Sequence, residues 1–182
     1  DFSIDEFNCD YYGSSLHKWL ATPLGAGLLY INKNNTHKIW PLLANGNTNK
    51  NDIKRLNHIG THPVHTDLAI SNSIDYIKWI GVRKKEERMR FLQRYWSDKL
   101  RGFKNVIVNT PEDNHRSCGI GNVGLTNMSP SDMAKTLFKN YKIFTVAIDY
   151  ANVKGCRISP NIFTTTSELD TFVNAVKEMA NT

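Results

Sequence analysis

Ser15-Leu16-His17-Lys18-Trp19-Leu20, with Gly25 and Gly27 shortly behind it, is the stretch from which the rest of this chain can be read. It sets a lysine among a histidine, an aromatic ring and small hydroxyl residues, at the end of an extended run. A lysine so placed is expected to lose its proton more easily than a solvated one, because desolvation penalises the ammonium form. The neutral amine can attack a carbonyl carbon and form a Schiff base. The plain alternative is a solvated surface lysine, since lysine is almost never fully buried. For His17 the plain alternative is a structural histidine bonded to backbone.

The chain around this stretch has 182 residues, enough for one ordinary domain or two small ones with a core that is stable unaided. Its 40% hydrophobic and 10% aromatic content describes a globular protein. No window approaches the ~18 apolar residues a membrane span needs. The formal charge of +6 raises the question of nucleic acid. Much of the excess, however, lies in Arg83-Lys84-Lys85-Glu86-Glu87-Arg88-Met89-Arg90, where acids interleave with bases. Charge mixed in this way reads as the solvated face of a helix, without the basic and aromatic stripe that stacked bases require. An anionic cofactor or substrate accounts for the excess as well, so neither a nucleic acid nor a membrane is expected as partner. Cys9, Cys118 and Cys156 have no metal-ligand spacing and read as reduced thiols of a cytoplasmic protein. No metal site is expected.

Along the chain, residues 1–8 read as a connection with a short turn, and Cys9 to Leu16 as a strand that delivers Lys18. Leu28 to Ile31 reads as a second strand closed by Asn32-Lys33-Asn34-Asn35. Residues 44–58, dense in Asn, predict a surface loop. After Pro63, Leu68, Ile70, Ile74, Ile77 and Ile80 recur at helical steps and predict one buried side. Gly81 separates this helix from another over about 82–101, with Val82, Met89, Phe91, Leu92, Tyr95, Trp96 and Leu100, which Gly102 stops.

Strands follow at Val106 to Val108, Ile120 to Leu125, Ile143 to Ile148 and Cys156 to Ser159. Ser129-Pro130 opens a helix whose apolar side is Met133, Ala134, Leu137 and Phe138. Ser167-Glu168-Leu169-Asp170 opens a last one, with Phe172, Val173, Val176 and Met179 inward. Such alternation predicts a compact α+β unit at the C-terminal end.

Two further places can carry chemistry. Gly60-Thr61 stands in an Ile-Gly-Thr-His turn, readable as a turn and cap for the next helix or as an anion-binding corner. Arg157, in Cys156-Arg157-Ile158-Ser159-Pro160, offers a guanidinium that matches a carboxylate with two parallel hydrogen bonds. Its plain alternative is an ion pair with a nearby acid such as Asp170. His62 and His65 are weaker candidates for a substrate pocket.

Taken together, Ser15 to Trp19, the turn with Pro23 and Gly25, the strand Leu28 to Ile31, Gly60-Thr61, the run Arg157 to Pro160 and the closing helix resemble the class V aminotransferases. These are pyridoxal phosphate (PLP) enzymes of the aspartate-aminotransferase-like fold, with isopenicillin N epimerase and cysteine desulfurase relatives. The resemblance implies an α/β chain in three parts. Residues 1–65 would be the C-terminal part of the PLP-binding large domain, 66–102 connecting helices, and 103–182 a C-terminal α+β small domain.

It also implies that Lys18 binds PLP as a Schiff base and moves a proton at the substrate's Cα. Ser15 and His17 would contact the cofactor, and Arg157 would grip the substrate's α-carboxylate. Gly60 and Thr61 would reach a neighbouring subunit's phosphate, so a homodimer is implied. The substrate would be an amino acid or small amine, and the outcome transamination, with epimerase, lyase and non-catalytic descendants of the fold as alternatives. Cysteine desulfurases carry their reactive Cys in a loop before this arginine, and Val146 to Val153 has none. Relatives of this architecture are about twice as long, so a half holding further cofactor contacts is expected before Asp1.

Overall fold

The computed structural model describes residues 2–44, 46–57 and 60–182, and the chain divides into two compact units, Asp1–Val82 and Arg83–Thr182. The helix pair expected as a connection over 66–102 is thereby shared between them.

In the first unit, strands β1 (Tyr11–Ser15) and β2 (Gly27–Ile31) form an antiparallel hairpin, with Tyr11 opposite Ile31 and Ser15 opposite Gly27. Before it, Ile4–Phe7 is a short 3-10 helix capped by Ser3, and Phe7 stacks on Tyr12 while Phe2 meets both rings edge-on. After it, 3-10 turns at Lys33–Lys38 and Ile53–Leu56 are joined by Arg55, which is buried. Its guanidinium donates to the carbonyls of Thr36 (2.8 Å), Ile39 and Lys50 (3.2 Å). Carbonyl oxygens carry two lone pairs and must be satisfied when shielded, so this one cation organises a stretch whose large apolar side chains, such as Trp40 and Leu42, lie exposed. The described residues of the expected surface loop over 44–58 are thus anchored from inside; residues 45 and 58 lie outside the described residues.

Helix α1 (Val64–Ile80) buries Thr66 and Ser73, while Leu68 is 69% and Trp79 82% exposed. The expectation that Leu68 and Ile74 share the buried side is overturned. The inward face runs through Thr66, Ser73 and the half-buried Ile70, Ile77 and Ile80, because short side chains let the helix approach the loop backbone. Ser73 Oγ donates to Ala21 O at 3.3 Å and to Ala69 O at 3.2 Å.

The second unit holds the main core. A four-stranded antiparallel sheet in the order β3 (Val106–Val108), β4 (Gly121–Leu125), β6 (Val153–Ile158), β5 (Val146–Tyr150) packs with helices α2 (Val82–Leu100), α3 (Pro130–Tyr141) and α4 (Thr166–Asn181). Met89, Leu92, Trp96 and Leu100 recur along α2 at three- and four-residue steps and are buried. Trp96 is wholly enclosed and meets the Phe172 ring edge-on at 5.6 Å. Burying such side chains stabilises by roughly 1.5–3 kcal/mol each.

Ser129 Oγ caps α3 by accepting from Asp132 N, and Thr165 with Glu168 forms a reciprocal cap on α4. Those bonds hold the Glu168 carboxylate below its ordinary range. Phe138, expected inward, faces solvent. Strand β5 begins later than expected because Ile143 N closes the end of α3 on Leu137 O, with Lys142 in the left-handed region.

Candidate active site

Each unit carries one part of the predicted site. In the first, Leu16 to Ala26 forms the loop of the β1–β2 hairpin, drawn closed by Leu16 N donating to Ala26 O at 3.0 Å. Within it Ala21 N donates to Lys18 O at 3.2 Å and Thr22 N to Leu16 O at 3.4 Å. Ala21 has φ +61° and Gly25 φ +93°, and the second value is one that a side chain disfavours. The loop is therefore a fixed turn, tethered to α1 through Ser73.

Lys18 stands on this turn, exposed, and its side chain has no hydrogen-bond or ion-pair partner among the described residues. The desolvation expected for it is not supplied by its own unit. Ser15 ends β1 with its hydroxyl equally unused. His17 is half-buried, and its Nδ1 is shielded from solvent without a hydrogen-bond partner among the described residues. The plain reading of His17 as bonded to backbone does not hold for that nitrogen. A buried polar atom left unpaired costs about 1–3 kcal/mol, which a bound polar group would offset. A hydroxyl, an imidazole and a free amine within four consecutive residues are a donor set that fits an anionic aldehyde such as PLP.

Gly60 and Thr61 are exposed, and Ile59 of their turn lies outside the described residues. α1 begins at Pro63 without a side-chain cap, so Thr61 does not serve as one, and its hydroxyl has no partner among the described residues. His62 instead engages the helix start, with Nε2 3.4 Å from Asp67 Oδ2 and Nδ1 3.3 Å from Gly60 O. His65 is exposed, and no cluster of metal-ligating side chains occurs among the described residues.

In the second unit Arg157 lies on β6, opposite Asn122 of β4 and Val146 of β5. It is exposed, and its guanidinium has no partner among the described residues. Asp170, its suggested partner, is taken by Lys99 and by Tyr95 Oη at 2.9 Å. Lys99 and Tyr95 hold the Asp170 carboxyl below its ordinary value, and Asp170 in turn raises Lys99.

Arg157 borders an open hollow of about 320 Å³ with Asn109, Thr110, Arg116, Ser117 and Asn122. Asn109 Nδ2 donates to Asn122 Oδ1 at 2.7 Å, which leaves the Asn122 amide N–H groups as donors. Sequence reading missed these asparagines. The available signal was a polar residue between Gly121 and Val123, in a strand otherwise apolar or glycine.

Cys156 is buried, its Sγ contacts Pro130 O at 3.5 Å, and burial pushes its thiol up. A thiol kept protonated is a poor nucleophile, so Cys156 is a packing residue. In the interval where desulfurases carry their cysteine, Tyr150 pairs with Val153 across a turn of Ala151 (φ +48°) and Asn152 (φ +67°). Two left-handed residues make the tight turn that matches strand twist.

The chain matches the family model "Aminotransferase class-V" over residues 1–172 and belongs to that family. It is 23% identical over 196 residues to the isopenicillin N epimerase of Amycolatopsis lactamdurans, covering 99% of this chain and 49% of that protein. It is 23% identical over 191 residues to a cysteine desulfurase of Wigglesworthia glossinidia brevipalpis, covering 95% of this chain and 46% of the relative. Among solved structures it superposes on the apo cysteine desulfurase of Thermococcus onnurineus NA1 with a TM-score of 0.83 at 19% identity, over 98% of this chain and 48% of that one. The desulfurase CsdA of Escherichia coli gives 0.80 at 21% identity, again over 98% and 48%. These likenesses establish the fold. The chain spans about half the length of the curated relatives it matches, and its mixed helix and sheet are those of a fragment of the PLP-dependent transferase fold.

Proposed function

We propose that this chain is the C-terminal part of a PLP-dependent enzyme acting on an amino acid or small amine, with Lys18 as the covalent anchor of the cofactor. The observation that carries the reading is the donor set of Ser15, His17 and Lys18 on one turn, unpartnered among the described residues. When bound, PLP supplies the electron sink that lets a bond at the substrate's Cα break. Ser15 and His17 would contact its phosphate or ring, where each charge-assisted hydrogen bond would contribute roughly 1.5–3 kcal/mol. The Lys18 amine accepts or returns a proton at Cα, and Arg157 holds the substrate's carboxylate with a two-pronged contact. Gly60 and Thr61, the Thr61 hydroxyl having no partner among the described residues, serve the phosphate of a second copy in a cytoplasmic homodimer.

Two features support a longer whole. Few large apolar side chains of the first unit are buried, whereas Leu24, Trp40, Leu42, Leu68 and Trp79 lie open, a surface made to be covered. The relatives are also about twice as long as this chain.

Amino-group transfer is the primary reading, and epimerisation is the second, favoured by the likeness to isopenicillin N epimerases. Sulfur removal by a reactive cysteine is disfavoured by the tight β5–β6 turn and by buried Cys156. The test is incubation of the chain with PLP, reduction with borohydride and peptide mass mapping. The expected adduct falls on Lys18 and disappears in Lys18→Ala. An adduct spread over other lysines, or none, rejects the reading.

A further inference from the structure

The hollow beside Arg157 is lined by a second arginine, Arg116, and by no acidic residue among the described residues. The Arg116 side chain, like that of Arg157, has no partner among the described residues. Two unneutralised cations on one concavity repel each other, so the arrangement is stabilised by an anion and selects for one with charge at both places.

The rim that carries Arg116 is held rigidly. From α2, Arg94 donates to Glu112 O, and Arg90 to Asn114 O at 2.6 Å and to Ser117 O, while Arg101, just past the helix end, donates to Thr110 O at 2.7 Å. Arg116 thus sits between two carbonyls held by one guanidinium, and its own N–H donates to Asp113 O at 3.0 Å. The acids of this rim are engaged elsewhere. Glu112 lies 3.7 Å from Arg101 Nε, and Asp113 Oδ1 accepts from His115 N at 2.8 Å. A pinned rim means that little ordering remains to be done when a ligand arrives.

We infer that this hollow takes a substrate with two acid groups, an acidic amino acid whose α-carboxylate meets Arg157 and whose side-chain carboxylate meets Arg116, with the Asn122 amide as a further donor. The assignment rests on the reading that Arg157 receives the α-carboxylate. A hollow of about 320 Å³ is within the size range of ordinary ligand sites and larger than one carboxylate needs.

The test needs no cofactor. The ¹⁵N-labelled chain is titrated with glutarate and with propionate at matched ionic strength, following arginine Nε–H and backbone signals. Glutarate is expected to bind about tenfold or more tightly than propionate, a second charge-assisted contact being worth at least that factor. The shifts should centre on residues 109–122 and 157. Arg116→Gln should bring glutarate down to the affinity of propionate with an unchanged melting temperature, and Arg157→Gln should weaken both ligands. Equal affinities in the unaltered chain, or a glutarate preference that survives Arg116→Gln, overturn the inference. A Lys18 adduct without dicarboxylate preference refutes the second acid group alone. A preference without an adduct upholds the dicarboxylate hollow and removes the cofactor reading.

Discussion

Replacing Gly155 with alanine tests how closely β4 and β6 must approach to hold Arg157 in place. A Cβ on Gly155 would stand 2.4 Å from Val123 O, 2.5 Å from Asn122 Oδ1 and 2.6 Å from Val123 C. Ordinary contact needs about 3.5 Å, so the strands must part by roughly 1 Å. The first obstacle is backbone and cannot swing aside. Overpacking of this kind costs about 1–3 kcal/mol, and the displaced Asn122 amide puts the expectation at the upper end. For a unit of this size, a loss of 2–3 kcal/mol lowers the melting temperature by roughly 10–20 °C.

Gly119→Ala is the matched comparison, because its Cβ would stand 2.6 Å from Cε of Met89, the tip of a flexible side chain. That tip can move, so less than about 1 kcal/mol is expected. The assay is thermal unfolding followed by near-ultraviolet circular dichroism, which reads the enclosed Trp96 ring. If Gly155→Ala melts within about 2 °C of the parent, or no lower than Gly119→Ala, the argument from strand approach is refuted.

Arg55→Met removes the side-chain donor of the Ile39 carbonyl and leaves Thr36 O with the Ile39 N–H alone, at about 1–3 kcal/mol for the unpaired carbonyl. Faster amide exchange across residues 33–56 is expected, and unchanged protection would contradict the clamp. Asp170 has a folded-state value below its ordinary 3.8, so its contribution is present above that pH and is lost as pH falls through the lower folded value. Lys99 is raised above 10.5, so its share persists below that pH and is lost as pH rises through the higher folded value. Asp170→Asn should accordingly flatten the acid limb of the melting-temperature profile, and an unaltered limb would count against the pair. An Ellman titration should find Cys118 fast and Cys156 silent until the chain unfolds, and prompt reaction at Cys156 would refute its burial. Thr165→Ala removes the reciprocal cap of α4 and should destabilise by about 1 kcal/mol in denaturant unfolding.

Sequence carried the helices best where local chemistry and tertiary packing agree. Ser129 followed by Pro130 is a helix start in either context, and the Leu92, Trp96, Leu100 spacing lies on the face that the core covers. It failed on α1, where periodicity named an apolar stripe but the loop at Ala21 selects short residues such as Ser73. The β5 boundary slipped because Ile143 is used to end a helix, and because Ala151-Asn152 lacks the glycine that advertises a tight hairpin. Arg55 was not legible either, since burial of a cation is decided by carbonyls up to nineteen residues away in the chain. Of the candidate site, Lys18, Ser15, His17 and Arg157 could be proposed from the resemblance. Arg116 and Asn122 could not, because they reach Arg157 only through strand register and through a rim shaped by α2.

The connection between β5 and β6 restricts what this scaffold can become. With Tyr150 and Val153 already bonded across the hairpin, only Ala151 and Asn152 lie between them, and both are committed to the bend. A side chain that must travel toward a reactant needs slack on either side of it. Exchanging a residue for cysteine there would fix the sulfur to a rigid corner, so gaining a swinging nucleophile requires added length.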